Sequence, residues 1–151
     1  MIAKSGRSIP VLLAPPRSGA PDNFVSRAPA TVVHVACGDT STHNGKSYYA
    51  MIDTGADSSA IDPSVAEATG AVLFGSGIAH GFGTPQATVK AANVSIIFPT
   101  INLTYHCPRI AVMDFHMAQQ PWDILLGRDF LKHCRFELDG PNGRYRLEWI
   151  Q

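Results

Sequence analysis

Residues 135–149 repeat with a period of two. Phe136 and Leu138 are interleaved with Arg135, Glu137 and Asp139; beyond Pro141-Asn142-Gly143, Tyr145, Leu147 and Trp149 are interleaved with Arg144, Arg146 and Glu148. A two-residue period gives a strand one wet face and one apolar face, and Asn-Gly between two such runs marks a hairpin turn. The pattern continues upstream. Thr31 to Cys37 is apolar and β-branched, Lys46 to Ile52 is a second apolar run, and the loop between them ends in Asn44-Gly45. Glycine and proline break residues 71–113 into strands expected near 87–98, 101–106 and 109–113. Two short helices are expected within this β framework. One has Asp62 as cap, Pro63 at its first position, Ser64 to Thr69 as its body and Gly70 as its stop; the other lies within Gly127 to His133. No internal repeat is visible. The fold class is all-β with little helix.

The chain has 151 residues, 45% of them hydrophobic, which suits one domain with a real core. Pro10, Pro15, Pro16, Pro21 and Pro29 mark residues 1–29 as an extended proline-rich arm, leaving 30–151 as the folded domain. Twelve basic residues balance twelve acidic ones. With no basic excess to displace counterions, a nucleic-acid partner is not expected. No apolar run reaches the roughly 18 residues that span a bilayer, and Val11 to Ala14 is too short for a signal-peptide core before Pro15-Pro16 interrupts it. Cys37, Cys107 and Cys134 are too few and too odd for a disulfide framework and read as buried thiols. A cytoplasmic setting follows as the expectation. His106-Cys107, His116 and His133-Cys134 have no recognised metal-ligand spacing. No Gly-x-Ser-x-Gly elbow is present, and Gly81-x-Gly83 lacks a third glycine, so neither a metal nor a cofactor is expected.

One segment carries chemistry. In Met51-Ile52-Asp53-Thr54-Gly55-Ala56-Asp57 an apolar strand ends abruptly in an acid, a hydroxyl residue and a glycine. The strand holds the carboxylate, Gly55 permits a tight turn, and Thr54 is able to hydrogen-bond a neighbouring loop. Taken alone this is also what an ordinary Asx turn looks like. A second segment, Pro121-Trp122-Asp123-Ile124-Leu125-Leu126-Gly127-Arg128, places two apolar residues before a glycine. With both segments in view the chain resembles the retropepsin-like aspartic proteases, the retroviral enzymes and their bacterial single-domain relatives, over residues 30–151.

The resemblance implies a closed acid-protease β-barrel with one or two short helices and one lobe per chain. It implies that Asp53, Thr54 and Gly55 form the catalytic loop. Ala56, Asp57, Leu125, Leu126, Gly127 and Arg128 would support that loop, with Arg128 bonded to Asp57. His80, Gly81, Phe82, Gly83 and Thr84 would form a flap over the substrate, although Thr84 and Pro85 depart from the family's glycine-rich tip. The activity implied is aspartic endopeptidase. It needs two carboxylates, and the chain has a single Asp-Thr-Gly, so a second copy is the expected partner and a peptide or protein the substrate. The competing reading is a catalytically silent module of the same fold that dimerises or binds peptides. The terminal hairpin face of Tyr145, Leu147 and Trp149 is expected either in the dimer contact or in its own subunit's core.

Overall fold

The structure is a computed structural model and describes residues 6–14, 27–81, 84–116 and 120–150. In chain order the elements are β1 (Arg7–Ile9), β2 (Leu12–Leu13), β3 (Pro29–Cys37), β4 (Tyr48–Ile52), β5 (Ala60–Ile61), α1 (Pro63–Thr69), β6 (Phe74–Gly81), β7 (Thr84–Phe98), β8 (Leu103–Val112), β9 (Ile124–Leu126), α2 (Arg128–Leu131), β10 (Cys134–Asp139) and β11 (Arg144–Trp149). α1 falls where its caps predict, and α2 falls within Gly127 to His133. Asp62 accepts the Ser64 backbone N–H, Pro63 opens α1, and Gly70 closes it in the left-handed conformation at φ 71°.

The larger sheet runs β2-β3-β4-β9-β5-β8-β7-β6, and a further β3–β7 pairing closes six of these strands into a barrel. β3 achieves the closure by serving two partners in turn. Ala30 to Val33 pair with β4, and His34 to Cys37 pair with β7. Closure leaves no open edge along the ring, which is how a small β domain satisfies its ladder groups. Two pairings are parallel, β4 with β9 and β5 with β8, while β5 runs antiparallel to β9. The interior holds the inward residues of the alternation, among them Val33, Val35, Ile52, Ile96, Leu126 and Leu147, each at most 5% exposed. Such a side chain contributes about 1.5–3 kcal/mol by leaving water.

Apart from Cys37, which is exposed rather than buried, the structure departs from the sequence reading in four places. Residues 103–112 form a single strand that passes through Pro108 rather than stopping there. β8 does so by a bulge, placing two residues (Pro108 and Arg109) between rungs where β7 has one (Asn93). A bulge leaves one residue outside the ladder, which suits a proline with no N–H to donate. Second, parts of the proline-rich arm are strands: β1 pairs with β11 and β2 with β3. Third, β6 (Phe74–Gly81) lies outside the expected strands; the expected loop ending in Asn44-Gly45 does join β3 to β4, with Gly45 at φ 80° and Asn44 Oδ1 accepting the Lys46 N–H. Fourth, Glu148 lies on the face the alternation assigns to water yet is only 6% exposed. It is held there by Arg146 Nη2 at 2.6 Å and Arg135 Nη1 at 3.6 Å. The terminal hairpin closes its own subunit: Leu147 is fully buried and Trp149 is 7% exposed. Trp149 and Tyr105 pack around Phe130, which also stacks on Phe98 at 4.9 Å, so α2 is pinned between barrel and hairpin.

Candidate active site

The parallel strands β4 and β9 lie side by side, Met51 opposite Leu125 and Ile52 opposite Leu126. β4 ends at Ile52, and the next residue, Asp53, still donates its N–H to Leu126 O at 3.0 Å. Asp53 is therefore fixed at its backbone although the strand has stopped, and it is half-buried. The chain then turns. Ala56 N–H returns to Asp53 O, and Gly55 N–H donates to Asp53 Oδ1 at 2.9 Å. That bond orients the carboxylate. Thr54 and Gly55 are exposed at the tip of the turn, and Ala56 is half-buried behind it.

Gly127 explains how the turn is held. An ideal Cβ there would lie 2.5 Å from Ser58 C and 2.6 Å from Ser58 O. The loop after Asp53 thus crosses directly over the end of β9, at a distance only glycine permits. Leu125 and Leu126, buried on opposite faces of β9, hold the crossing strand in place. Just past the crossing, Arg128 N–H donates to Ala56 O and Asp129 N–H to Asp57 O. Arg128 Nη2 bonds Asp57 Oδ1, pairing the two charges named by the motif. Both side chains are mostly exposed, 60% and 83%, so the pair adds little stability and acts mainly on geometry.

Ser59 and Asp129 complete the junction, and the sequence reading passed over both. Asp129 Oδ1 accepts from Ser59 N–H at 2.9 Å, Ser59 Oγ at 2.7 Å and Phe130 N–H at 2.9 Å, while Ser59 Oγ accepts from Gly127 N–H at 3.0 Å. A buried backbone donor at the crossing is satisfied through one hydroxyl and one carboxylate. No Thr-Gly follows Asp129; its position two residues past Gly127, at the start of a helix, is the available signal.

The expected flap segment lies on β6 and β7. His80 and Gly81 end β6, Thr84 begins β7 and pairs with Gly81, and Phe82 and Gly83 lie outside the described residues. A model of the family described as Aspartyl protease matches residues 40–130, a span that contains both the Asp53 turn and the Gly127 crossing. The chain belongs to the aspartyl protease family. Among solved structures it is similar to the EIAV protease complexed with the inhibitor HBY-793. The identity is 18% and the TM-score 0.44, and the match covers 74% of this chain and 92% of that one. No curated protein matches it.

A second apolar cluster adjoins the Asp53 turn. Met51, Ala60, Phe115, Trp122 and Leu125 form it, and Ala56 packs against it. Asp62 ties the covering segment down, its Oδ2 accepting from Phe115 N–H at 2.9 Å and His116 N–H at 3.2 Å. His116 Nε2 also meets Asp123 Oδ1 at 3.2 Å, and Asp123 Oδ2 accepts from Tyr49 N–H. Burial pushes the Asp62 carboxyl up, but hydrogen bonds from Ser64 and His116, with the His116 charge, more than offset it and leave it below its ordinary value. A concavity of about 570 Å³ lies elsewhere, between Val11–Leu13 and the β10–β11 hairpin, and shares no residue with the Asp53 turn. The turn is the better candidate because it presents an oriented carboxylate beside an exposed tip. Among the described residues no group of three or more His, Cys, Asp or Glu is placed to hold a metal, and no helix is long and apolar enough to cross a membrane.

Proposed function

We propose that the chain is an aspartic endopeptidase of the bacterial single-domain, retropepsin-like branch, and that it hydrolyses peptide bonds as a homodimer. The observation that carries this reading is the Asp53 carboxylate, set at the rim of the barrel by Gly55 N–H on a turn backed by the Gly127 crossing. One chain supplies one Asp-Thr-Gly. Two copies related by a two-fold axis through the Asp53 turns would bring the two carboxylates together.

The pair shares one proton. The ionised carboxylate takes a proton from a water held between the two, and the water oxygen bonds to the substrate's carbonyl carbon. The protonated carboxyl gives its proton to the carbonyl oxygen, forming a tetrahedral diol. A proton then passes to the amide nitrogen, the C–N bond breaks, and a carboxylic acid and an amine leave. The two groups titrate as one unit. Thr54 and Gly55 complete the catalytic loop, and Ala56, Asp57, Leu125, Leu126, Gly127 and Arg128 keep it in place. His80, Gly81, Phe82, Gly83 and Thr84 serve as the flap that covers the bound peptide.

A reducing, cytoplasmic setting is part of the proposal, supported by three unpaired thiols. Burial, helped by the Asp129 charge, pushes Cys107 up to about 12, and burial does the same for Cys134, so neither is poised to react.

The test is cleavage of a peptide library between acidic and neutral pH by wild type and Asp53→Asn, with and without a statine-type inhibitor. Cleavage should be inhibited by the statine, and the substitution should lower turnover by at least about 100-fold. Unchanged turnover in Asp53→Asn sinks the assignment. A silent module would leave every peptide intact in both forms while still dimerising or binding peptide.

A further inference from the structure

The two-stranded ribbon of β6 and β7 leaves the barrel at one definable point. β8 backs β7 only as far as Lys90↔Val112. Beyond that rung, residues 84–89 pair with β6 alone. The β6 ladder is broken at the same level, between Phe74↔Ala91 and Gly77↔Val89, where β6 spends three residues against two. The extra residue falls at Gly75 or Ser76, and Gly75 has φ 60°. A bulge with a left-handed glycine bends a strand and concentrates its twist. The ribbon is thus attached at a bend.

One side chain reaches this bend from another strand. Arg109 sits in the β8 bulge that accommodates Pro108, and bulges re-aim the side chains they carry. Its guanidinium carbon lies 5.7 Å from the centroid of the Phe74 ring. Its Nη2 lies 3.2 Å from where a Cβ on Gly75 would stand. Arg109 therefore reaches past β7, joining the bulge of β8 to that of β6. Phe74 is 37% exposed, so the contact is a surface one, strong enough to bias an opening equilibrium and too weak to forbid it.

We propose that Arg109, acting on Phe74 and Gly75, is a positioning residue that sets how far the ribbon opens. The proposal rests on the reading of that ribbon as the flap of a peptidase. Arg109 acts at the hinge and not on the reacting atoms. Its removal raises the open population, weakens substrate capture and leaves the chemical step alone.

The experiment is hydrogen–deuterium exchange on the full chain, followed in peptides covering 77–81 and 84–89, for wild type, Arg109→Ala, Arg109→Lys and Phe74→Leu. Peptide-cleavage kinetics are measured on the same proteins. Arg109→Ala and Phe74→Leu should speed exchange in both segments by about threefold to tenfold. Exchange in β3 and β4 should be unchanged, and Arg109→Lys should restore part of the protection. KM should rise by a similar factor with kcat held. Unchanged exchange in 77–81 and 84–89 overturns the hinge, as does a rise spread equally over β3 and β4. If no form cleaves peptide, the peptidase reading falls while exchange still decides the hinge.

Discussion

An ideal Cβ on Gly127 would stand 2.5 Å from a backbone carbon of Ser58, whereas one on Gly55 would stand 3.2 Å from the Asp53 carboxylate. The two glycines of the site thus answer to different neighbours. At Gly127 the obstacle is backbone belonging to the crossing loop, and it cannot rotate away. Gly127→Ala should destabilise the chain by about 3 kcal/mol, at the upper end of overpacking costs, and a urea titration would show it as a lowered midpoint. At Gly55 the obstacle is the end of a side chain. Gly55→Ala should keep the unfolding free energy within about 0.5 kcal/mol while lowering peptide turnover, because the carboxylate must move from its set position. Both glycines were legible as motif members. Which one carries stability and which carries orientation was not, because Ser58 and Gly127 meet only in the fold.

At the scale of the element, α1 shows how one residue serves two structures. Asp62 Oδ1 caps the helix through Ser64 N–H, and Oδ2 holds Phe115 and His116 N–H groups from a distant segment. Its carboxyl sits below the ordinary aspartate value in the fold. The unfolded chain therefore binds the proton more readily. The stabilisation is complete above the ordinary value and is lost as pH falls through the lowered one. Asp62→Asn places an amide against two N–H donors and should cost about 2–3 kcal/mol at pH 7. The gap from wild type should close below about pH 4 in urea titrations run across pH. A gap that stays constant down to pH 2 would count against the charged form as its source. The cap was readable from Asp62-Pro63-Ser64 because capping is local. The second oxygen's partners were not, since nothing in the intervening sequence marks Phe115 and His116 as neighbours of α1.

For the whole molecule, the expectation concerns assembly. If Asp53 is half of a dyad, turnover per chain should fall on dilution through the dimer dissociation constant, and sedimentation should show the monomer appearing over the same range. Full activity from a species that sediments as a monomer would refute the two-chain mechanism. The terminal hairpin bears on the same question. Leu147 and Trp149 are consumed by their own subunit's core, so the proposed dimer would draw on other surface.

The sequence by itself determined what depends on neighbours along the chain. It showed strands by period-two alternation, α1 by its cap, proline and glycine, and a carboxylate at a strand end by Asp53-Thr54-Gly55. The tertiary structure alone decided what depends on residues far apart. β3 divides between β4 and β7 to close the barrel. Ser59 Oγ accepts the Gly127 N–H and itself donates to Asp129. Arg109 reaches past β7 to the root of the ribbon. The physical reason is the same in each case. Backbone preference is set within a few residues, whereas a ladder partner, a buried hydrogen bond or a stacked cation is chosen only when the closed barrel brings distant segments within a few ångströms.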